Sequence, residues 1–543
     1  MNNKITSWSA EPAIRFAAEE WARLAAEYEE RLRAVAPDAA VTIATIDEAL
    51  EHGCSARLQA ELADQRELKQ GSYWMEVKGR EVLLAGLTPA AALYAVYDFF
   101  KVYAGVHWIY PGEEPALSDE LPALPGSEGE ARLYEPWFGR RGFVFENIYD
   151  PAFISDMIDW MAKNRVGEIF FTFMLWDNIR DTVAPEIVKR GMDITLGGHS
   201  MKFFLDKEEA LRRQSADHPY TAKRQLDYGD PSWQQSVIGM IADYCADVPR
   251  LTRVSLWPED VSSQSETFLE LYIRHTEQLK RKLYDKLPCV EVEHISYNAG
   301  LSWKMLDRGS MSGSREIDTL LAFWGRDYRY GLEESPSLSD RKADRIERDW
   351  AAEAHRNGRK LTIFEYYSDH YMFSALFPSI PSRIVADMAY FRELRADGLT
   401  NLVVPCPGYP DYDWKWAQAF NGYVFCRALW GDDLSGILND YYTYYPLEQR
   451  EPVKALLELV ENAAAEVTGW NIPLFPHRIV DADKIPEQEK AQARDKVTAL
   501  LEKLSAGLDQ IQSQAAPGTR AGKAFDYAKH LAELADLKKN EWS

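Results

Sequence analysis

The fold of this chain is decided by three consecutive segments: Arg141–Asn147 (RGFVFEN), Asp150–Asn164 (DPAFISDMIDWMAKN) and Glu168–Trp176 (EIFFTFMLW). The first and third segments are short apolar runs, which are typical of buried strands. The middle segment is amphipathic and long enough to form a helix. A strand, a helix and a second strand in this order are typical of a βα unit in a parallel sheet.

The same alternation continues along the chain from about Tyr134. It gives eight candidate strands: Arg141–Asn147, Glu168–Trp176, Met192–Gly197, Arg253–Trp257, Cys289–Tyr297, Thr319–Trp324, Lys360–Tyr366 and Leu399–Pro405. Helical stretches separate most of them, for example Asp150–Asn164, Ser265–Leu283, Ser339–Asn357 and Ser382–Ala396. Eight repeats in roughly 290 residues predict an α/β protein built on a (β/α)8 TIM barrel, whose active site lies at the C-terminal strand ends.

Two further regions flank the predicted barrel, which we assign to residues 131–430. Residues 1–130 predict a small N-terminal α/β domain. Its predicted elements are the strands Ala40–Thr45, Tyr73–Val77 and Glu81–Ala85 and the helix Ala90–Tyr103. Residues 431–543 are amphipathic and predict a C-terminal helical region that packs against the barrel.

The chain is strongly acidic, with 62 Lys and Arg against 85 Asp and Glu and a formal net charge of −23. Nucleic acids and anionic membranes attract basic surfaces, so this balance argues against both as partners. No segment reaches the ~18 apolar residues of a membrane span, and the first residues lack the apolar core of a signal peptide. The five cysteines show no CxxC pair, so we expect reduced thiols in a cytoplasmic protein without a metal or cofactor. The sequence leaves a homodimer open.

Aromatic residues are abundant, with 17 Trp, 28 Tyr and 22 Phe among 543 residues. Pyranose rings have apolar C–H faces that stack on aromatic side chains and hydroxyl groups that bond to carboxylates. An acidic, aromatic-rich protein is therefore suited to an oligosaccharide substrate. A large aromatic core explains the same composition without a sugar.

Polar and aromatic side chains come just after the predicted strands, where a barrel gathers its active site. In chain order they include Glu146, Trp176, Asp177, His199, Trp257, Glu259, Asp260, Tyr297, Asn298, Trp324, Arg326, Asp327, Glu365, Tyr366, Asp369, Tyr409 and Trp414. Carboxylates and aromatic rings together indicate glycoside hydrolysis. No cluster of three His or Cys ligands stands out, so we expect no metal site.

Two carboxylates carry the predicted chemistry. One carboxylic acid protonates the leaving oxygen, and a second carboxylate acts as nucleophile or as base toward water. Glu259 or Asp260 after strand four is the predicted acid, although a helix N-cap is the simpler explanation of Asp260 alone. Glu365 after strand seven is the predicted second carboxylate, and Asp327 is held in reserve. Glu365 lies between apolar neighbours, and burial of a carboxylate there favours a functional role.

The residues predicted to contact the sugar are Trp176, Asp177, His199, Trp257, Tyr297, Asn298, Trp324, Arg326, Tyr366, Tyr409 and Trp414. His199 follows two glycines, which suits close approach to a ligand, and a structural histidine is an equally good interpretation. Of the tryptophans that end strands, one is expected to close the core and one or two to form a sugar platform. Asn298 is suited to a sugar hydroxyl or to turn formation, and Arg326 to an anionic sugar or a neighbouring acid.

The segment Leu87–Phe100 (LTPAAALYAVYDFF), followed by Gly105–Pro111 (GVHWIYP), is specific enough to suggest a family. It resembles the end of the N-terminal α/β domain that precedes the barrel in family 67 α-glucuronidases and family 20 β-hexosaminidases. The barrel resembles family 163, formerly a domain of unknown function, which is associated with endo-acting β-N-acetylglucosaminidase activity. Supporting stretches are Arg141–Phe143, Asn164–Phe171, Gly197–Ser200, Phe364–Tyr366 and Ala428–Trp430. The resemblance covers most of residues 70–445.

The resemblance implies a general acid after strand four, which matches Glu259. In family 20 an Asp directly precedes that acid, whereas here the order is Glu259 and then Asp260, so substrate assistance is not implied. In α-glucuronidases an Asp after strand six and a Glu after strand seven act opposite the acid, and Asp327 and Glu365 match those places.

These observations predict a glycoside hydrolase that cleaves O-glycosidic bonds of imported oligosaccharides, with a β-N-acetylhexosaminide as the expected substrate. One alternative is an α-glucuronidase, in which Arg326 or Lys202 contacts the sugar carboxylate. Another is a non-catalytic carbohydrate-binding protein on a barrel scaffold, since a fold does not determine a function.

Overall fold

The computed structural model of this chain describes most of its residues. The described ranges are 4–33, 39–63, 67–121, 129–214, 228, 231–258, 267–298, 302–373, 378–404, 415–465, 487–511 and 519–541. Within these ranges, no helix combines the length and the apolar character that crossing a membrane requires.

A closed barrel of eight parallel strands lies at the centre of the molecule. Barrel strands one to eight are Arg140–Phe145, Glu168–Thr172, Asp193–Gly198, Leu251–Leu256, Glu291–Tyr297, Asp318–Ala322, Leu361–Asp369 and Gly398–Val404. The helices that follow or connect them are Pro151–Lys163, Phe173–Arg190, Met201–Gln214, Pro231–Cys245, Phe268–Tyr284, Leu338–Arg356, His370–Phe373, Pro381–Glu393 and Lys415–Ala428. The predicted (β/α)8 architecture and its eight strands are confirmed.

Barrel strand two is shorter than predicted. It ends at Thr172, whose side chain accepts a hydrogen bond from the Leu175 amide and caps the helix Phe173–Arg190. A capped helix starts there because the Thr hydroxyl satisfies one of the amides that a first turn leaves without a partner. Trp176 therefore lies in a helix and not at a strand end, which corrects the predicted strand Glu168–Trp176.

A five-stranded sheet forms the N-terminal region. Its strands are Lys4–Thr6, Ala40–Thr45, Tyr73–Lys78, Glu81–Gly86 and Glu130–Tyr134, and a two-stranded sheet joins Val106–His107 to Ala116–Leu117. The helices of this region are Pro12–Glu27, Glu29–Arg33, Ile46–Glu51, Ala56–Glu61 and Pro89–Ala104. The last strand of the sheet extends past residue 130, the predicted domain boundary; the boundaries themselves stay predictions.

Helices follow the barrel at the C-terminal end, as the amphipathic pattern predicts. They are Leu434–Tyr442, Leu447–Ala465, Glu487–Ile511 and Arg520–Glu541. Arg520 donates to the Tyr444 carbonyl at 3.0 Å and to the Glu114 carbonyl at 3.2 Å. This side chain joins the last helix to the N-terminal region at Glu114 and to the preceding C-terminal segment at Tyr444.

Contacts between distant strands identify the side chains that face the barrel interior. Arg140 of strand one bonds to Glu293 of strand five and, at 3.1 Å, to Thr362 of strand seven. These strands are not neighbours, so the bonds cross the barrel interior and only side chains that face inward can form them. Successive strand residues face opposite sides, so Phe364, two residues after Thr362, also faces inward. Its ring lies 5.4 Å from that of Trp257 at the end of strand four.

Close approach of strands three and four requires a glycine at position 197. A Cβ atom added to Gly197 would lie 1.7 Å from the carbonyl oxygen of Ser255, a backbone atom that has little freedom to move. Gly197→Ala is therefore expected to lower the free energy of unfolding by about 1 to 3 kcal/mol. Chemical denaturation would measure the loss.

Gly239 provides a matched control for that substitution. It lies in the helix Pro231–Cys245, and a Cβ atom added there meets no described atom within 4 Å. Gly239→Ala is expected to stabilise by up to about 1 kcal/mol, because alanine is the better helix former. Equal stability of the Gly197→Ala variant and the parent would contradict the tight strand contact.

Candidate active site

Seven described residues gather at the C-terminal end of the barrel, and we call this set the mouth. They are Glu146, His199, Trp257, Tyr297, Trp324, Tyr366 and Asp369. Each comes from the end of a strand or from the residues just after it, where a (β/α)8 barrel places its catalytic groups. Five of them were predicted as substrate-binding residues.

His199 and Tyr297 converge on one backbone carbonyl. Nδ1 of His199 lies 2.7 Å from the oxygen of Pro258, and the Tyr297 hydroxyl donates to the same oxygen at 3.1 Å. Because a carbonyl only accepts, Nδ1 carries the hydrogen, and in the neutral ring Nε2 holds the lone pair. The contact fixes the tautomer of His199 as well as its orientation.

Trp257 forms the aromatic floor of the mouth. Its ring lies 5.2 Å from Phe170 and 5.3 Å from His199, and its indole N–H donates to the Ser255 hydroxyl at 3.0 Å. The residue is only 2% exposed. Trp257 therefore closes the barrel core below the site and is not an open stacking platform.

Trp324 is half-buried and is held by strands on both sides. The side-chain amide of Asn298 accepts from its backbone N–H at 2.8 Å and donates to its carbonyl at 2.7 Å. Asn298 thus fixes the backbone that carries the tryptophan. The half-exposed ring of Trp324 is the best candidate for a sugar platform among the described tryptophans of the site.

Asp369 is a buried carboxylate in the mouth, 1% exposed. The indole N–H of Trp324 donates to its Oδ2 atom at 3.2 Å, and the Met372 amide donates to the same atom at 3.1 Å. The aspartate is the last residue of strand seven, and it was named at this strand end without a role. Two donors from different elements hold its orientation.

A bulge in strand seven turns Asp369 inward. Glu365 pairs with Asn401, but the next paired residue is Ser368, which pairs with Val403. Strand seven thus advances three residues, from 365 to 368, while strand eight advances two, from 401 to 403. The extra residue reverses which positions of strand seven point their side chains into the barrel. Before the bulge Phe364 faces inward, and after it Asp369 does.

Glu146 is the second carboxylate that sequence analysis placed at a strand end without a role. Its backbone carbonyl accepts from the Thr172 hydroxyl at 3.0 Å. A Cβ atom on Gly198 would lie 3.5 Å from its Oε1 atom. The carboxylate of Glu146 therefore lies above the end of strand three, beside His199.

Glu365 lies on the other face of strand seven, toward the surrounding helices. Its Oε1 atom accepts from Arg326 at 2.9 Å and its Oε2 atom accepts from the Tyr328 hydroxyl at 2.9 Å. Arg326 also bonds to both carboxylate oxygens of Asp387, at 3.0 Å each, on the helix Pro381–Glu393. Burial raises the pKa of Glu365, and the Arg326 guanidinium opposes that shift.

The structure does not bring Glu365 and Arg326 into the mouth. They form one buried ion-pair network with Asp387 behind strand seven, and Tyr367 donates to that aspartate at 2.8 Å. The expected position of Glu365 at the mouth rested on its place near a strand end between apolar neighbours. Its catalytic role stays a prediction that this geometry does not favour.

Three other predicted residues also have structural partners. Asp327 accepts from Arg329 Nε at 2.9 Å and lies in the turn after strand six. Asp177 accepts from the Tyr244 hydroxyl at 2.8 Å. Trp176 is 1% exposed and stacks on a neighbouring phenylalanine, so it belongs to the core. Tyr366 remains at the mouth, where its ring contacts Phe364 at 4.9 Å.

Four predicted residues lie outside the described part of the chain: Glu259, Asp260, Tyr409 and Trp414. Glu259 directly follows Pro258, whose carbonyl is held by His199 and Tyr297 at the mouth. Among the described residues, no group of three or more His, Cys, Asp or Glu side chains is arranged to hold a metal ion.

The chain resembles known proteins in its fold and not in its sequence. No protein-family model and no curated protein sequence matches the chain. A GH138 enzyme targeting the pectin rhamnogalacturonan II aligns with a TM-score of 0.62 and 10% identity, over 99% of this chain and 69% of its own. The chain therefore has a fold that occurs in glycoside hydrolases.

Two other solved structures show weaker similarity. A GH20 exo β-N-acetylglucosaminidase from Vibrio harveyi gives a TM-score of 0.45 and 11% identity, over 83% of this chain and 74% of its own. A family 89 glycoside hydrolase from Clostridium perfringens gives a TM-score of 0.48 and 12% identity, over 98% of this chain and 64% of its own. These carry no argument about activity. The specific resemblance to family 163, and the glucuronidase-type N-terminal domain, stay predictions.

Proposed function

We propose that this protein is a glycoside hydrolase whose active site is the barrel mouth. The observation that carries the proposal is the buried carboxylate of Asp369, which is held by Trp324 and a backbone amide beside an aromatic floor. A carboxylate is costly to bury, and the indole of Trp324 and the Met372 amide orient this one at the C-terminal end of the barrel, where such folds gather their catalytic groups. That arrangement supports a role as a reacting group.

The mechanism that we propose uses two carboxylates. Asp369 is oriented by its two donors and acts as nucleophile, or as base toward water. Glu259 donates a proton to the leaving oxygen, as its position after strand four indicates. His199 and Tyr297 orient the sugar from the opposite wall, and Trp324 stacks on its apolar face.

The substrate class that we propose is a neutral oligosaccharide, with a β-N-acetylhexosaminide as the first choice. A uronide would need a cation to meet its carboxylate. Arg326 is 2% exposed and fully engaged by Glu365 and Asp387, which argues against that role. Lys202 is exposed and remains the cation of the α-glucuronidase alternative. A cytoplasmic location stays a prediction from the sequence.

Substrate profiling tests the proposal. The purified protein would be incubated with 4-nitrophenyl β-N-acetylglucosaminide, a glucuronosyl oligosaccharide and pectin fragments, and the released sugars would be quantified. We expect turnover of a neutral glycoside. A non-catalytic sugar-binding protein would instead show calorimetric binding of an oligosaccharide without any product.

Glu259→Gln is expected to separate the two chemical roles. On an unactivated oligosaccharide, the loss of the acid should lower kcat by about 10²-fold. On a nitrophenyl glycoside the loss should be much smaller, because this leaving group departs without a proton. Asp260→Asn is the matched control and should retain activity on both substrates. Equal losses of the Glu259→Gln variant on both substrates would contradict an acid role.

A further inference from the structure

A cavity of about 810 Å³ lies at the N-terminal ends of the barrel strands, on the face opposite to the mouth. The first residues of most strands line it, and so do residues 67–71 and the start of the helix Pro89–Ala104 from the N-terminal region. The volume lies within the range of small-molecule sites. Nothing in the proposed hydrolysis uses this space.

The charge of this cavity is opposite to that of the chain. Eight basic and five acidic residues line it, whereas the whole chain has a formal net charge of −23. The basic residues are Lys69, Arg140, Arg141, Arg250, Arg253, Lys360, Arg392 and Arg395. A positive cavity on a negative protein focuses the field on anions.

At the floor of the cavity, two arginines pair with three carboxylates. Arg140 pairs with Glu168 at 2.7 Å and with Glu293. Arg253 pairs with Glu293 at 3.3 Å and with Asp318 at 2.8 Å. These groups are buried and form the closed bottom of the barrel, so the excess charge lies elsewhere.

Most acids at the rim of the cavity are already engaged. Asp193 pairs with Arg250 at 2.7 Å. Glu291 pairs with Lys280, which is not part of the lining, at 3.1 Å. Asp397 accepts a backbone amide hydrogen bond at 2.9 Å. Asp397 keeps its charge and attracts Lys360 electrostatically, whereas Asp193 and Glu291 are held by Arg250 and Lys280. The carboxylates of the rim therefore offset part of its positive charge.

Four exposed cations of the rim have no carboxylate within 4.0 Å among the described residues. They are Lys69, Lys360, Arg392 and Arg395. Lys69 donates to a backbone carbonyl at 2.9 Å, and Arg392 lies over the ring of Trp137 at 4.5 Å. They supply the excess positive charge at the opening of the cavity.

The backbone at Arg395 gives a second, independent indication. Its φ is 60°, in the left-handed region that glycine adopts without steric cost and other residues avoid. Gly191 and Gly358 adopt the same conformation after two other barrel helices, with φ of 66° each. The fold therefore accepts glycine in this type of turn, and arginine is kept at a steric cost.

The side-chain contacts of Arg395 do not explain why an arginine occupies this left-handed position. Arg250, with φ of 57°, bonds to Asp193 and to the carbonyls of Gly191 and Met192, so its side chain ties a turn together. The guanidinium of Arg395 makes no such bond to any described residue. Strained residues cluster at functional sites, and Arg395 lines the cavity.

We propose that this cavity binds a small oxyanion with two or more negative charges, such as a phosphate ester or a polycarboxylate. Arg395 and Arg392 offer planar donors that suit bidentate contacts with oxyanions, and Lys69 and Lys360 add point charges. The first residues of the helix Pro89–Ala104 add the positive end of a helix dipole. The site is separate from the mouth and does not depend on the proposed hydrolysis.

Calorimetry on the full chain at low ionic strength tests the site, with inorganic phosphate, pyrophosphate and citrate as probes. We expect saturable binding that Arg395→Gly and Lys360→Ala each weaken by roughly 10-fold. Arg274→Ala is the matched control, since Arg274 is exposed, pairs with Glu270 and does not line the cavity. Tighter binding of the phosphates than of citrate would identify a phosphate ester, and the reverse a polycarboxylate.

The choice of Arg395→Gly keeps the result interpretable. Glycine relieves the left-handed backbone, so the unliganded variant should melt at or above the temperature of the parent. A loss of binding would then not reflect unfolding. The proposal is overturned if no probe binds saturably, or if Arg395→Gly and Lys360→Ala bind the probes as tightly as Arg274→Ala does.

Discussion

Asp369→Asn is expected to lower kcat on the best glycoside substrate by at least about 10³-fold, with little change in stability. The amide keeps the shape of the side chain and can still accept from Trp324 and the Met372 amide. It cannot attack an anomeric carbon or take a proton from water, and such groups contribute about 10² to 10⁴ in rate. Steady-state kinetics and thermal unfolding of the same sample would measure both quantities.

Glu365→Gln provides the matched comparison. Its amide can keep the hydrogen bond from Arg326, and the side chain lies behind strand seven, so kcat should fall by less than about 10-fold while stability falls. Asp369→Gly supplies a second test, because azide fits where the carboxylate was and should restore cleavage of a nitrophenyl glycoside. Azide bonds to the anomeric carbon as nitrophenolate leaves, so the expected products are a glycosyl azide and nitrophenol. Parental activity of Asp369→Asn together with a severe loss in Glu365→Gln would reverse our assignment.

The sequence was sufficient to predict the architecture. Each barrel strand is a buried apolar run, and each is separated from the next by segments with helical periodicity or turns. These local patterns are independent of the rest of the chain. They predicted all eight strands, including Glu291–Tyr297, whose predicted C-terminal end is confirmed at Tyr297.

The sequence was not sufficient to predict which carboxylate of strand seven lies at the mouth. Alternation assigns faces only while the strand is regular, and the bulge between Glu365 and Ser368 exchanges them. No residue type in this segment marks the bulge. Glu365 was favoured because it lies between apolar neighbours near a strand end and matches the Glu that the family resemblance implies after strand seven.

Side-chain pairing explains the other differences at the site. Arg326 was assigned either to an anionic sugar or to a neighbouring acid, and its partner Asp387 lies 61 residues further along the chain. Sequence spacing carries no information about such a contact. Asn298 was likewise interpreted as a sugar ligand or a turn residue, and it holds the backbone of Trp324.

Arg326→Met is expected to lower the free energy of unfolding by about 3 to 5 kcal/mol, which is typical when one partner of a buried ion pair is removed. Arg326 is 2% exposed and contacts both Glu365 and Asp387. Its removal leaves the buried carboxylate of Glu365 without its cation, whereas Asp387 keeps an ion pair with Arg383 at 2.8 Å. Urea denaturation would measure the loss, and Arg274→Met on the surface should change stability by less than about 1 kcal/mol.

The pH dependence of this loss tests its electrostatic origin. Burial already raises the pKa of Glu365, and Arg326 opposes that shift, so its removal should raise the pKa further. A folded state with a raised carboxyl pKa binds the proton more tightly than the unfolded chain does, so protonation at low pH stabilises the folded state. This stabilisation is lost as the pH rises through the pKa that Glu365 has in the folded state. The Arg326→Met variant should therefore lose less stability at about pH 5 than at about pH 8.

The double variant Arg326→Met with Glu365→Gln should recover part of the loss, because one uncompensated charge is gone. A loss that is independent of pH and unchanged in the double variant would indicate a packing defect in place of an unpaired charge.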